Sequence, residues 1–60
     1  MHSGTLSIIV PALNEAAAIE AVLMPLQGWR AQGLQVLVVD GGSTDATVAL
    51  ARPLADEVIE

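Results

Sequence analysis

Residues 36–45 read Val36-Leu37-Val38-Val39-Asp40-Gly41-Gly42-Ser43-Thr44-Asp45. The four apolar residues at the start predict a strand of a parallel sheet, covered on both faces. The glycine pair predicts a tight turn, and the three polar residues after it are favourable at the N-terminus of a helix. Asp40 therefore falls at the C-terminal end of a strand, where ligands of open α/β sheets bind.

A similar pattern lies upstream. Leu6 to Val10 predicts a first strand, which ends at Pro11 because proline has no N–H to donate to a sheet. Asn14 is predicted to cap the following helix, whose apolar positions recur every three or four residues. Those positions are Ala16, Ile19, Val22, Leu23 and Leu26, with Trp29 also expected on the apolar face. Pro25 predicts a break near Met24, and Gly33 is typical of a helix C-terminus.

The rest of the chain continues the alternation of strands and helices. A second helix is predicted to begin near Ser43 or Thr44 and to end or distort at Arg52, which precedes a proline. Residues 57–59 then predict the beginning of a third strand. Short βα units in series imply right-handed crossovers and a parallel sheet. The predicted fold class is α/β, a parallel β-α-β-α-(β) unit that is Rossmann-like.

Composition limits the functions that the chain can have. It has 60 residues, 53% of them hydrophobic, no cysteine, two basic residues and a net charge of −5. One domain of marginal stability is the most that this length allows. The charge argues against binding nucleic acid or anionic membranes, and no run of residues has the length of a membrane span. We expect a cytoplasmic location, no disulfide and, for His2, a solvated position in the N-terminal tail.

The two motifs occur together in one known family. A strand, Pro11-Ala12-Leu13-Asn14-Glu15, a helix, and a strand that ends in Asp40-Gly41-Gly42-Ser43-Thr44-Asp45 resemble the start of a family 2 glycosyltransferase of the GT-A fold. The resemblance runs from Leu6 to about Ile59. It implies that residues 1–60 are a partial nucleotide-sugar-binding domain, an N-terminal fragment that stops before the family's Asp-x-Asp motif. The parent protein would use a UDP- or GDP-linked sugar and a divalent cation, Mg or Mn.

The resemblance also implies a set of nucleotide-binding residues. They are Pro11, Leu13, Glu15, Asp40, Gly42 and Ser43. In the family, an aspartate at the position of Asp40 accepts a hydrogen bond from the nucleobase, and Gly41 departs from a commoner second aspartate. The alternatives are structural: Asp40 accepts turn amides, and Glu15 stabilises the helix dipole. No catalytic or metal-binding residue is expected within this chain, so we expect it to be inactive alone.

Two other classes of function compete with this interpretation. A dinucleotide-binding Rossmann module requires Gly-x-Gly-x-x-Gly in its first turn, but residues 11–15 contain no glycine. The second alternative is a non-catalytic α/β fragment that self-associates. The predicted first strand is apolar and without charge, so its edge is expected to pair with another copy or to exchange an element with it, giving a homo-oligomer.

Overall fold

The computed structural model describes residues 6–60, so the prediction for His2 lies outside the described residues. Strands and helices alternate along the chain as predicted. The elements in chain order are β1 Ser7–Ala12, α1 Ile19–Leu23, α2 Gln27–Arg30, β2 Gln35–Asp40, α3 Thr47–Ala51 and β3 Glu57–Ile59. A 3₁₀ turn follows α1 at Met24–Leu26, and another follows α3 at Arg52–Leu54.

The strands form one three-stranded parallel sheet in the order β1-β2-β3. In the register of β1 with β2, Ser7 lies beside Gln35 and Ala12 beside Asp40. Both strands therefore end at the same edge of the sheet, which places the two loops that follow them side by side. The α/β class and the parallel direction of the strands, both predicted from the sequence, are confirmed.

One face of the sheet carries the core. Val36 and Val38 on β2 are fully buried, and so are Leu23 of α1 and Ala51 of α3. The two crossovers advance in the same direction across the sheet, so their right-handedness places α1 and α3 on the same face. The two helices contact each other as well as the sheet.

The opposite face is bare. Exposed fractions there are 64% for Ile9, 38% for Val39 and 43% for Ile59. The prediction that β2 is covered on both faces is therefore wrong for this chain. The physical reason is the order of the strands, because two right-handed crossovers that advance in one direction leave the other face without a helix.

Pro11 does not end the first strand, contrary to the prediction. β1 continues to Ala12, and Pro11 lies beside Val39 in the register. Gln35 N donates to Leu6 O, and Gly41 N donates to Ala12 O. The backbone N–H and C=O groups of the even-numbered residues of β1 therefore point toward β2, and those of the odd-numbered residues point away from it. The nitrogen of Pro11 therefore points to the open edge, where a proline is tolerated.

The two helices predicted after β1 and β2 begin later in the structure than the sequence indicated. Asn14 is not a helix cap: it has φ of 49°, and α1 begins only at Ile19. Asparagine adopts this left-handed conformation more readily than most residues. α3 begins at Thr47, whose N–H donates to the Asp45 carboxylate at 2.9 Å. Asp45, rather than Ser43 or Thr44, thus supplies the polar acceptor at the start of this helix.

The predicted breaks are confirmed. The chain leaves α-helical geometry at Met24, immediately before Pro25, and α3 ends at Ala51, before Pro53. Gly33 has φ of 106° after α2, the left-handed conformation that glycine adopts at helix ends.

Candidate functional site

The loops after β1 and β2 meet at the carboxyl edge of the sheet. Ala12 and Asp40 are register partners, and Gly41 N donates to Ala12 O at 2.8 Å. Asp40 and the segment from Pro11 to Glu15 therefore lie together, as their positions after two parallel strands predict.

An open depression of about 440 Å³ lies at this edge. Three of the predicted site residues, Pro11, Leu13 and Glu15, line it. Its remaining lining residues are Ala12, Val39 and Gly41, which sequence reasoning did not select. Pro11 and Val39 are register partners, and Val39 is on the bare face of the sheet, so the depression opens on that face. The alternation of side chains along β2 was the signal that could have identified Val39.

Asp40 lies on the other face, with Val36 and Val38. Its exposed fraction is 7%. Oδ2 accepts hydrogen bonds from Gly42 N at 3.0 Å and Ser43 N at 2.8 Å, and Oδ1 accepts one from the Ser43 hydroxyl. The Ser43 hydroxyl, followed by its backbone N–H, lowers the pKa of Asp40 below its ordinary value. The carboxylate is thus ionised at neutral pH and is occupied by its own turn.

Gly42 and Ser43 do not line the depression either. Their backbone N–H groups, which could otherwise have met a ligand, donate to Asp40. Gly42 has φ of 105°, which an L side chain rarely adopts, so glycine is needed for this turn. The contacts of Asp40 are therefore those of the structural alternative, in which it accepts turn amides, while Ser43 Oγ also accepts a bond from Asn14 N in the other loop.

A second carboxylate joins the two loops. Asp45 Oδ1 accepts hydrogen bonds from the backbone N–H and the hydroxyl of Thr47, and Oδ2 accepts one from Ala16 N at 3.2 Å. The Thr47 hydroxyl is the main cause of the lowered pKa of Asp45, and the Thr47 backbone N–H comes next. Thr47 itself is fully buried.

Two negative observations concern residues 6–60. No group of three or more His, Cys, Asp or Glu side chains in this range is placed to hold a metal ion. Across the same range, every helix is too short or too polar to span a membrane.

The fold and the depression define an α/β unit of the kind that binds ligands outside the carboxyl ends of its strands. A family model described as glycosyl transferase family 2 matches residues 7–60. The chain belongs to this family.

Relatives with assigned names agree with the family. The chain is 45% identical over 51 residues to the succinoglycan biosynthesis protein ExoA of Rhizobium meliloti (strain 1021), covering 83% of this chain and 16% of the relative. It is 37% identical over 60 residues to the PGL/p-HBAD biosynthesis glycosyltransferases of Mycobacterium tuberculosis (strain ATCC 25618 / H37Rv) and Mycobacterium bovis (strain BCG / Pasteur 1173P2), covering 100% of this chain and 23% of each relative. The chain thus spans less than a quarter of these relatives. No solved structure matches it significantly.

Proposed function

We propose that the chain provides part of the donor-nucleotide site of a glycosyltransferase and that the depression takes the nucleoside of a UDP- or GDP-linked sugar. One observation carries the proposal: Pro11, Leu13 and Glu15 line a depression at the carboxyl edge of a parallel sheet. Their positions match the nucleotide-contacting loop that the family resemblance implies.

The lining residues offer complementary chemistry for a nucleoside. Pro11, Leu13 and Val39 present apolar surface to the face of a planar base, and Gly41 has no side chain to limit its approach. The Glu15 carboxylate can accept a hydrogen bond from a ribose hydroxyl or from a base N–H, and a charged acceptor strengthens such a bond. In this proposal Asp40 acts through the turn that it holds rather than by direct contact.

The transfer of sugar is proposed for a longer protein rather than for these 60 residues. A divalent cation would there bind the diphosphate, and a general base would activate the acceptor. Each contributes orders of magnitude to the rate, and residues 6–60 contain no group of three or more His, Cys, Asp or Glu side chains placed to hold a metal ion. The 60-residue chain is proposed to bind nucleotide without transferring sugar.

A titration with UDP and GDP, followed by backbone amide chemical shifts, tests the binding. We expect weak binding, with shifts concentrated at residues 12–15, 39 and 41. Glu15→Gln is expected to weaken it several-fold, because a neutral amide is a poorer acceptor. Glu20→Gln is the matched control, since Glu20 lies in the first turn of α1 and does not line the depression. Equal affinities of the two variants would exclude a role for Glu15.

A product assay tests the second half of the proposal. The chain is incubated with labelled UDP- and GDP-sugars in the presence of magnesium or manganese, and transfer to water or to an added acceptor is measured. Release above a protein-free control, from a sample free of longer enzyme, would contradict the proposed lack of turnover.

A further inference from the structure

The loop after β1 is held by side chains of the other loop. Its successive N–H groups at Asn14, Glu15 and Ala16 donate, respectively, to Ser43 Oγ at 2.8 Å, Thr47 Oγ1 at 2.8 Å and Asp45 Oδ2 at 3.2 Å. These three bonds take the place of backbone partners at the point where the chain leaves the sheet.

The two hydroxyl groups are themselves oriented by carboxylates. The Ser43 hydroxyl donates a hydrogen bond to Asp40 Oδ1, and the Thr47 hydroxyl donates one to Asp45 Oδ1. A hydroxyl has a single proton, so each oxygen then presents only lone pairs to the loop. The ionised carboxylates thereby make Ser43 and Thr47 fixed acceptors for the N–H groups of Asn14 and Glu15.

The held loop carries two lining residues of the depression. Leu13 and Glu15 flank Asn14, where the chain bends with a left-handed φ of 49°. Asn14 also returns a bond, since its Oδ1 accepts from Thr44 N at 2.9 Å. A shift of this loop would move both lining residues, although the hydroxyls that hold it lie outside the depression.

We propose that Ser43 and Thr47 are positioning residues of the nucleotide site, each acting through a backbone N–H of the loop and each oriented by its own aspartate. The inference rests on the proposed function, because it concerns how the depression is shaped for its ligand. It assigns the polar residues after β2 to the placement of Leu13 and Glu15 rather than to ligand contact.

The test combines amide hydrogen exchange with UDP titration of the 60-residue chain. Thr47→Val removes the hydroxyl at nearly constant volume and is expected to speed exchange at Glu15 and to weaken UDP binding, each by about tenfold. Thr47→Ser restores the hydroxyl and is expected to restore both. Ser43→Ala, at a half-buried position, is expected to act in the same way at Asn14 and preserves the test if Thr47→Val unfolds.

Ser7→Ala is the matched control. It also removes one hydroxyl hydrogen bond, from Ser7 to Gln35, but at the opposite edge of the sheet. The inference is overturned if Ser43→Ala and Thr47→Val speed exchange yet bind UDP as tightly as Ser7→Ala, or if they leave exchange unchanged. Absence of UDP and GDP binding by the unaltered chain would instead overturn the proposed function, and the two failures are therefore distinguishable.

Discussion

Gln27 is expected to be a main determinant of stability at the edge opposite the depression. Its Nε2 donates to Leu23 O at 2.9 Å and to Leu54 O at 2.8 Å, and its Oε1 accepts from Arg30 Nη1 at 2.8 Å. The backbone N–H of Gln27 donates to Met24 O in the 3₁₀ turn, so Gln27 reaches the Leu23 carbonyl through its side chain. One side chain thus joins the ends of both helical crossovers.

Gln27→Leu removes three hydrogen bonds. A net hydrogen bond contributes about 0.5–1.5 kcal/mol, and Gln27 is half-buried, so we expect a loss of about 2 kcal/mol in the free energy of unfolding. A chain of 60 residues has a total of only about 3–9 kcal/mol. The melting temperature is expected to fall by roughly 10 °C, which urea and thermal unfolding followed by circular dichroism would measure.

Two further variants separate the contributions. Gln27→Glu keeps the acceptor for Arg30 but places a carboxylate against two carbonyl oxygens, so it is expected to destabilise at least as much as Gln27→Leu at neutral pH. Gln32→Leu is the control, because Gln32 is an exposed glutamine that follows α2. If the free energies of unfolding of Gln27→Leu and Gln32→Leu differ by less than about 0.5 kcal/mol, the bridging role of Gln27 is refuted.

Other predictions concern acid stability, the Asp40 turn and self-association. Folding lowers the pKa values of Asp40 and Asp45 from 3.8, so the two carboxylates stabilise the fold above that pH, and this stabilisation is lost as the pH falls through their folded pKa values. The free energy of unfolding, measured as a function of pH, would show no such loss if folding left the two pKa values unchanged. Asp40→Asn is expected to speed amide exchange at Gly42 and to weaken UDP binding; unchanged values would contradict its role in the turn. We also propose a homo-oligomer through the open edge of β1 or an exchanged element. Light scattering should give at least twice the chain mass of 6.2 kDa, and a stable monomer would disprove it.

Strands and breaks were predictable because their signals are local. The apolar run of β2 and the prolines at 25 and 53 act within a few residues, and the structure follows them. The starts of the helices were not predictable in this way, because Asn14 bonds to the backbone of Thr44 and Asp45 bonds to that of Ala16. Such contacts exist only after the two loops meet.

The location of the candidate site was predictable from the sequence, but the residues that line it were only partly predictable. Position after a parallel strand was enough to bring Pro11, Glu15 and Asp40 to one edge. Asp40 is buried on the face that carries the core and does not line the depression, which the sequence could not indicate because β2 was expected to be buried on both faces. Trp29 illustrates the same limit: its helical spacing predicted an apolar contact, yet it is 62% exposed because α2 is short and lies away from the core.

Asp40, the last residue of β2, and Gly41, which follows it, have different structural roles, and the difference matters for protein engineering. Asp40 is tied to the turn, whereas Gly41 lines the depression, and a Cβ added there would meet its nearest atom, Ala12 O, at 3.6 Å, an ordinary contact. If the depression binds the proposed nucleotide, a library at position 41 is expected to change its ligand preference while the Asp40 turn is kept. Recognition and folding would then depend on different residues that are adjacent in the chain.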